Sequence, residues 1–211
     1  NNVSPGSMAA RKLRFIDSLS CNLSDIVLVD TPETMEFFVS ELGVPRRKIH
    51  AIPIGADNSV FYPRNDFNSD AEDPFRIWFH GSYIPLQGIE YIVKAATQFD
   101  KKNVVFDIAG RGQTYNKVER LIDKYDLNNV NQLGWVDYER LPKYIAQSDL
   151  CLGIFGTTSK ADRVIPNKVF ECLAMEKPVI TGNSTAMRHQ FDHGNDIFLC
   201  DRRNPDAIAR S

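Results

Sequence analysis

Short apolar runs alternate with helix-like segments along the chain, and this alternation is the feature that most constrains the fold. The apolar runs have the length and the Val, Ile and Phe content of buried strands. Strands are predicted at residues 26–29, 49–54, 75–80, 104–108, 130–133, 150–155, 179–181 and 197–199. Helices between them would cover both faces of a parallel sheet. The sequence therefore predicts an α/β protein with a Rossmann-like doubly wound parallel sheet of about five or six strands from residue 75 onward.

Residues 55–74 interrupt the alternation, because they are polar and rich in turn-forming residues. We interpret residues 57–74 as a linker between a segment at residues 1–56 and a domain at residues 75–211. The chain begins without Met and stops at Ser211, inside a helix predicted to start at Asn204 and Pro205. We therefore expect a piece of a longer protein with its last helix truncated.

Charge and cysteine content exclude several classes of protein. Lys and Arg number 25 and Asp and Glu number 27, a formal net charge of -2, so we expect no nucleic-acid partner. The four cysteines lack CxxC spacing, which favours a reduced cytoplasmic protein. No apolar run approaches the roughly 18 residues of a membrane-spanning helix. A basic helix predicted at residues 8–19 is expected to face solvent, with contact to a membrane surface as the alternative.

The four histidines do not form a recognisable metal site. His189 and His193 have helical i, i+4 spacing, but neither a third ligand nor an HExxH pattern accompanies them. His50 and His80 end predicted strands, and we expect a structural or surface role for each. The sequence therefore predicts no bound metal.

Two glycine-containing loops follow predicted strands, at the sheet edge where α/β proteins bind ligands. In the first loop, at residues 81–88, backbone N–H groups could face an anion, with Ser82 as an added donor. A plain strand-to-helix turn explains this loop about as well. The second is Gly110-Arg111-Gly112, whose glycines would permit close approach of a ligand. The alternative for Arg111 is an ordinary surface charge.

The loop at residues 157–171 carries the strongest chemical signal. It leaves an apolar strand and enters a helix with Pro166 predicted at the first helical position. Lys160, Arg163 and Lys168 surround this helix start, which predicts a site for a diphosphate. Glu171 follows one turn into the helix, where a carboxylate can reach the two hydroxyls of a ribose. A capped helix whose charges face solvent is the alternative.

A series of short motifs runs through the chain in a fixed order. IPIGAD at residues 52–57, followed by FYP, is similar to a pattern IPNGVD…F.P. Four further motifs come next: FHGSYIPLQGIEYIVKAA, the DIAGRG turn, LGWV and AQSDLCLGIF. The last motif, VFECLAMEKPVIT, resembles EAMACGKPVI. In this order the motifs, which span the chain from about Leu13 to Ser211, resemble the GT-B glycosyltransferases of group 1 (family 4).

The resemblance implies a retaining, metal-independent transferase that takes a sugar from a nucleotide-diphosphate sugar and uses no cofactor. The acceptor would be a carbohydrate or a lipid-linked sugar, as in polysaccharide biosynthesis. The chain would be mainly the donor-binding half of the GT-B architecture, and residues 1–56 would be a remnant of the acceptor-side domain. Catalytic groups would lie partly in that missing N-terminal domain. The implied location is cytoplasmic, with peripheral contact of the full-length protein to the inner membrane surface as an open alternative.

The resemblance also assigns donor-binding roles to individual residues. Glu171 matches the second Glu of the family's Glu-x7-Glu motif, which holds the ribose. Backbone amides before it would hold the diphosphate, the first glycine loop would add phosphate contacts, and the segment after LGW would approach the base. The implied donor-binding residues are Gly81, Ser82, Gln87, Gly110, Trp135, Val136, Lys160, Arg163, Val164, Ile165, Asn167, Lys168 and Glu171.

Three positions depart from the family pattern. Ser82 and Gln87 stand where the first loop usually has a phosphate-binding Arg and Lys, and Arg163 stands at the first Glu of the Glu-x7-Glu pair. Our hypothesis is a relocation of charge, in which Lys160, Arg163 and Lys168 supply the cations that the first loop lacks. The alternative is a non-catalytic nucleotide-sugar binding or scaffolding module. In either case we expect residues 1–211 to transfer no sugar alone.

Overall fold

The computed structural model describes residues 6–64 and 73–211. These residues form two compact units, one ending at Ile54 and one beginning at Gly55. Each unit has its own hydrophobic core and is described by itself. In the described part of the chain, no helix is long and apolar enough to cross a membrane.

The first unit contains two helices and a two-stranded parallel sheet. Helix α1 spans Met8–Leu23, strand β1 Val27–Val29, helix α2 Pro32–Leu42 and strand β2 Ile49–Ala51. Helix α2 begins at Pro32, because the Thr31 hydroxyl accepts a hydrogen bond from the backbone N–H of Thr34. It ends at Gly43, whose left-handed backbone (φ +67°) closes the last turn. Strand β2 is shorter than the predicted 49–54, since the proline at position 53 has no N–H to donate.

The second unit is built on a six-stranded parallel sheet. Its strands are β3 Phe75–His80, β4 Val104–Ala109, β5 Val130–Gly134, β6 Leu150–Leu152, β7 Val179–Gly182 and β8 Phe198–Cys200. Their order across the sheet is β5-β4-β3-β6-β7-β8, and every pairing is parallel. Counted from β3, this is the order 3-2-1-4-5-6 of the Rossmann fold. The predicted fold class is therefore confirmed.

Within the described residues of this unit, six α-helices cover the two faces of the sheet. They are α3 Ile89–Ala96, α4 Tyr115–Lys124, α5 Leu141–Ala146, α6 Asn167–Ala174, α7 Thr185–Gln190 and α8 Pro205–Arg210. One core layer contains residues of α3, α4 and α8, and the other contains residues of α5, α6 and α7. Alternate residues of β3 enter opposite layers, Phe79 with α3 and Trp78 with α5 and α6. His80 therefore projects from the same face as Trp78.

Strand β6 and helix α6 differ in length from their predictions. Strand β6 ends at Leu152 instead of Phe155, because the backbone N–H of Phe155 donates to the carbonyl of Gln87 in the first glycine loop. Helix α6 begins at Asn167, so Pro166 occupies the capping position before it. The loop after β6 is consequently longer than predicted, and it packs against the loop after β3.

The predicted linker at residues 57–74 is described only at its two ends, since residues 65–72 lie outside the described part of the chain. In its first part, Phe61 is fully buried in the core layer that contains Trp78, and its ring meets that of Tyr138 edge to face. This buried aromatic residue fixes the start of the segment onto the second unit. The domain boundaries themselves stay a prediction.

Candidate functional site

The candidate site lies at the carboxyl ends of β3 and β6, which are neighbours in the middle of the sheet. The chain leaves β3 toward β4 on one side and leaves β6 toward β7 on the other. The two loops therefore separate and open a crevice, the place where doubly wound sheets bind ligands. The loop after β3 is the first glycine loop, and the loop after β6 leads into α6.

The glycines of the first two loops allow their backbones to touch. Gly110 has φ +135°, and a Cβ added there would lie 1.9 Å from the carbonyl oxygen of Gly81. The backbone N–H of Gly81 donates to the carbonyl of Ala109, and that of Tyr83 to the carbonyl of Arg111. Gly110 thus has a packing role that accounts for it without a ligand. Arg111 is exposed, which agrees with the surface-charge alternative.

Lys168 connects helix α6 to the first glycine loop. Its side chain is buried, and its Nζ donates to Oε1 of Gln87 at 2.6 Å. The same Nζ lies 3.6 Å from the centroid of the Phe79 ring. A Cβ on Gly81 would come within 2.8 Å of it, so a side chain there would displace the amine. Burial lowers the pKa of Lys168 to about 7. The structure therefore brings Gly81, Gln87 and Lys168 together.

Glu171 lies one turn further along α6 and is also buried. Its Oε2 is 2.8 Å from Nε2 of His80, the last residue of β3. On the other side of the imidazole, Nε1 of Trp78 donates to Nδ1 at 2.8 Å. The Trp78 ring stacks on Tyr144 with centroids 5.0 Å apart and planes 7° from parallel. Glu171 is therefore held from β3 through a buried hydrogen-bonded chain.

The sequence predicts a structural or surface role for His80 and does not indicate its contact with Glu171, a predicted site residue. Two sequence signals pointed to it: His80 directly precedes Gly81, and it shares the strand face of Trp78 by the two-residue period. Neither signal identifies Glu171 as its partner, because the two residues are 91 positions apart. The stack of Trp78 on Tyr144 is missed as well, because these two residues are 66 positions apart.

The loop after β6 is fixed from outside the crevice by Asp162. Its carboxylate accepts hydrogen bonds from the Thr185 hydroxyl at 2.9 Å and from Nη2 of Arg202 at 2.8 Å. Burial opposes ionisation of Asp162, but these partners outweigh it and lower its pKa. This anchor, which no sequence pattern indicates, ties the loop to the ends of β7 and β8.

The remaining predicted residues are spread around the crevice. Ser82, Lys160 and Asn167 are exposed, Arg163 and Val164 are half-buried, and Ile165 is buried in the core. Asn167 and Lys168 start α6, where backbone N–H groups lack partners within the helix. Trp135 is 68% exposed and follows β5, two strands away from β3, with half-buried Val136 beside it. The structure thus does not bring Trp135 together with Lys168 and Glu171.

Comparison with known proteins gives a family and a set of similar folds. The family described as Glycosyl transferases group 1 matches residues 63–211. A sucrose-phosphate synthase of Thermosynechococcus elongatus superposes with a TM-score of 0.80 at 19% identity, over 97% of this chain and 53% of its own. HepE of Anabaena, solved with UDP and glucose, superposes with a TM-score of 0.80 at 18% identity, over 98% of this chain and 57% of its own. These likenesses confirm the fold predicted for one half of the GT-B architecture.

Two curated relatives are much longer than the region that this chain matches. A putative colanic acid biosynthesis glycosyl transferase, WcaI of Escherichia coli, is 25% identical over 140 residues, which cover 58% of this chain and 34% of the relative. An uncharacterized glycosyltransferase of Methanocaldococcus jannaschii is 20% identical over 154 residues, covering 73% of this chain and 40% of the relative. The chain therefore spans well under half the length of these two relatives.

Proposed function

The chain belongs to the group 1 glycosyl transferases, and from that premise we propose that it is the donor-binding part of an enzyme that transfers a sugar from a nucleotide-diphosphate sugar. One observation carries the proposal: a single helix, α6, places a buried amine and a buried carboxylate at the carboxyl end of β3, beside the first glycine loop. Lys168 faces the first glycine loop, and Glu171 lies one turn beyond it. A diphosphate and a ribose need these two kinds of group in this order.

The donor proposed is a nucleoside-diphosphate sugar, and UDP is the first nucleotide to test. HepE is described in complex with UDP-glucose, and TarM of S. aureus in complex with UDP. WcaI is named for colanic acid biosynthesis, which supports a carbohydrate or lipid-linked acceptor. Retention of the donor's configuration and independence from metal belong to the proposal as expectations from the family, as does a cytoplasmic location.

The chemistry proposed for the crevice is stabilisation of the departing nucleoside diphosphate. Negative charge grows on the diphosphate as the bond to the sugar breaks, and a cation in a water-poor site stabilises that charge strongly. Lys168 is such a cation when protonated, and the amides at the start of α6 add donors. Diphosphate beside Lys168 would also favour its charged form and offset the effect of burial.

The relocation of charge is supported most clearly for Lys168. Its Nζ hydrogen-bonds to Gln87, the residue that stands where the family's first loop usually carries a lysine. Lys160 is exposed and Arg163 half-buried, so their contributions depend on the bound ligand. We expect Lys168→Ala to weaken binding of UDP by tenfold or more, since a charge-assisted hydrogen bond is worth about 1.5–3 kcal/mol. Arg163→Ala should weaken it less, and unchanged affinity in both variants would contradict the relocation.

A matched control is Lys117→Ala. Lys117 is an exposed lysine of helix α4, which covers the face of the sheet opposite to α6, and it forms an ion pair with Glu90. Its removal makes the same Lys-to-Ala change on the opposite face of the sheet. We expect it to leave UDP affinity within about twofold of wild type, as surface ion pairs contribute little.

A thermal-shift screen against UDP-, GDP- and ADP-sugars tests the proposed function. A nucleotide at 100 times its dissociation constant should add about 2.7 kcal/mol to the free energy of unfolding. No response to any nucleotide would favour the second candidate, a non-catalytic module, for which the departures at Ser82, Gln87 and Arg163 are the specific observation. We also expect residues 1–211 alone to show no transferase turnover, and detected turnover would contradict that.

A further inference from the structure

The buried chain from Trp78 through His80 to Glu171 has a fixed direction. Trp78 Nε1 carries a hydrogen and can only donate, so Nδ1 of His80 must accept. A neutral imidazole that accepts at Nδ1 carries its proton on Nε2. That proton points at Oε2 of Glu171, 2.8 Å away. The hydrogen bonds therefore select one tautomer of His80 and supply one donor to the carboxylate.

Burial makes this arrangement rigid. Trp78 is 1% exposed, and His80 and Glu171 are each 8% exposed. Protonation of His80 at Nδ1 would direct its new N–H against the indole N–H, and burial further lowers the pKa of His80 although Glu171 opposes that effect. The stack of Trp78 on Tyr144 fixes the indole in turn.

We infer that Trp78 and His80 are positioning residues that hold the Glu171 side chain in one orientation, so that its second oxygen, Oε1, accepts a hydrogen bond from a ribose hydroxyl of the nucleotide. The hydrogen bond from His80 uses Oε2 and prevents rotation of the carboxylate. A carboxylate fixed in this way binds a hydroxyl without a further loss of side-chain freedom. This inference rests on the proposed function, because it requires a nucleotide in the crevice.

The test compares two nucleotides on three forms of the chain. UDP and 2′,3′-dideoxy-UDP differ only in the hydroxyls that Glu171 would contact. With wild type, we expect the dideoxy nucleotide to bind at least tenfold more weakly, as for the loss of a hydrogen bond to a charged group. His80→Leu should weaken UDP about tenfold and leave the dideoxy nucleotide unchanged. His80→Gln keeps an amide donor toward Oε2 and should restore most of the UDP affinity.

Each other outcome overturns the inference in a recognisable way. Equal losses for both nucleotides in His80→Leu would indicate a merely structural role for His80. Equal binding of both nucleotides by wild type would overturn the ribose contact and leave the proposed function standing. Absence of binding by either nucleotide would overturn both.

A second measurement determines the tautomer of His80 in the wild type. Nitrogen-15 NMR of the histidine side chains in wild type distinguishes a protonated from an unprotonated ring nitrogen. We expect His80 to carry hydrogen on Nε2 and none on Nδ1 at neutral pH. Hydrogen on Nδ1, or on both nitrogens, would contradict the direction of the chain and with it the positioning role. Trp78→Phe, which removes the donor to Nδ1, should allow the other tautomer to appear and identifies the His80 signal.

Discussion

Lys168 gives the most quantitative prediction, because its amine is buried in the folded chain and hydrated in the unfolded chain. Its pKa falls from 10.5 to about 7 on folding, with burial as the largest cause. A lysine with a folded pKa below its unfolded pKa binds fewer protons when folded. Between those two pKa values the free energy of unfolding therefore rises with pH. From pH 7 to pH 9 the rise due to Lys168 is about 2 kcal/mol.

The perturbation is Lys168→Met, which keeps a long side chain and removes the titrating amine. The chain's two tryptophans, Trp78 and Trp135, both lie in the second unit, so their fluorescence during urea unfolding reports on that unit. We expect the wild type to gain about 2 kcal/mol relative to Lys168→Met between pH 7 and pH 9. The control Lys160→Met removes an exposed amine from the same loop and should keep the wild-type dependence. Parallel curves for wild type and Lys168→Met would refute a strongly perturbed buried amine.

The same pKa predicts proton uptake on binding. At pH 8 most of the Lys168 amine is neutral, and a diphosphate beside it would favour the charged form. Calorimetric titration with UDP in two buffers of different ionisation enthalpy measures the protons taken up. We expect uptake by wild type and less by Lys168→Met. Equal uptake in the two forms would place the diphosphate away from Lys168.

Two further predictions concern packing. Gly110→Ala forces a methyl group to within 1.9 Å of the Gly81 carbonyl oxygen, which should lower the free energy of unfolding in urea by about 3 kcal/mol or more. The control Gly194→Ala, with φ +85° and nothing within 4 Å of the added Cβ, should lower it by only about 1 kcal/mol. Similar losses in the two variants would contradict the tight contact between the two loops. Phe61→Ala removes a fully buried ring and should lower the free energy of unfolding by about 3–5 kcal/mol. Tyr62→Ala, at a position 47% exposed, should lower it by about 1 kcal/mol or less. A loss of that small size for Phe61→Ala would show that the predicted linker is not anchored at Phe61.

The sequence predicts the sheet well because its strands are short apolar runs with sharp ends. Strand β3 matches its prediction at both ends, and α8 begins at the predicted Asn204 and Pro205. The prediction is wrong at the end of β6, where a long-range contact decides the boundary. Strand β6 ends early because the backbone N–H of Phe155 donates a hydrogen bond to the carbonyl of Gln87, 68 positions away in the sequence. No local sequence pattern predicts this hydrogen bond.

The candidate site divides along the same line. Lys168 and Glu171 could be predicted, because charged residues around a helix start form a local pattern. That Lys168 turns inward to Gln87 could not be predicted, since an exposed lysine is the common case. His80 could not be assigned to Glu171, because the pairing of β3 with β6 and the packing of α6 bring them together.

The central claim is that the crevice between β3 and β6 holds a nucleoside diphosphate, and a crystal structure of the chain soaked with UDP tests it most directly. We expect the diphosphate within hydrogen-bond distance of Nζ of Lys168 and of the amides at the start of α6. We expect a ribose hydroxyl to donate to Oε1 of Glu171, with His80 still donating to Oε2. UDP bound elsewhere, or a crevice without UDP at a concentration that saturates the chain in solution, would contradict it.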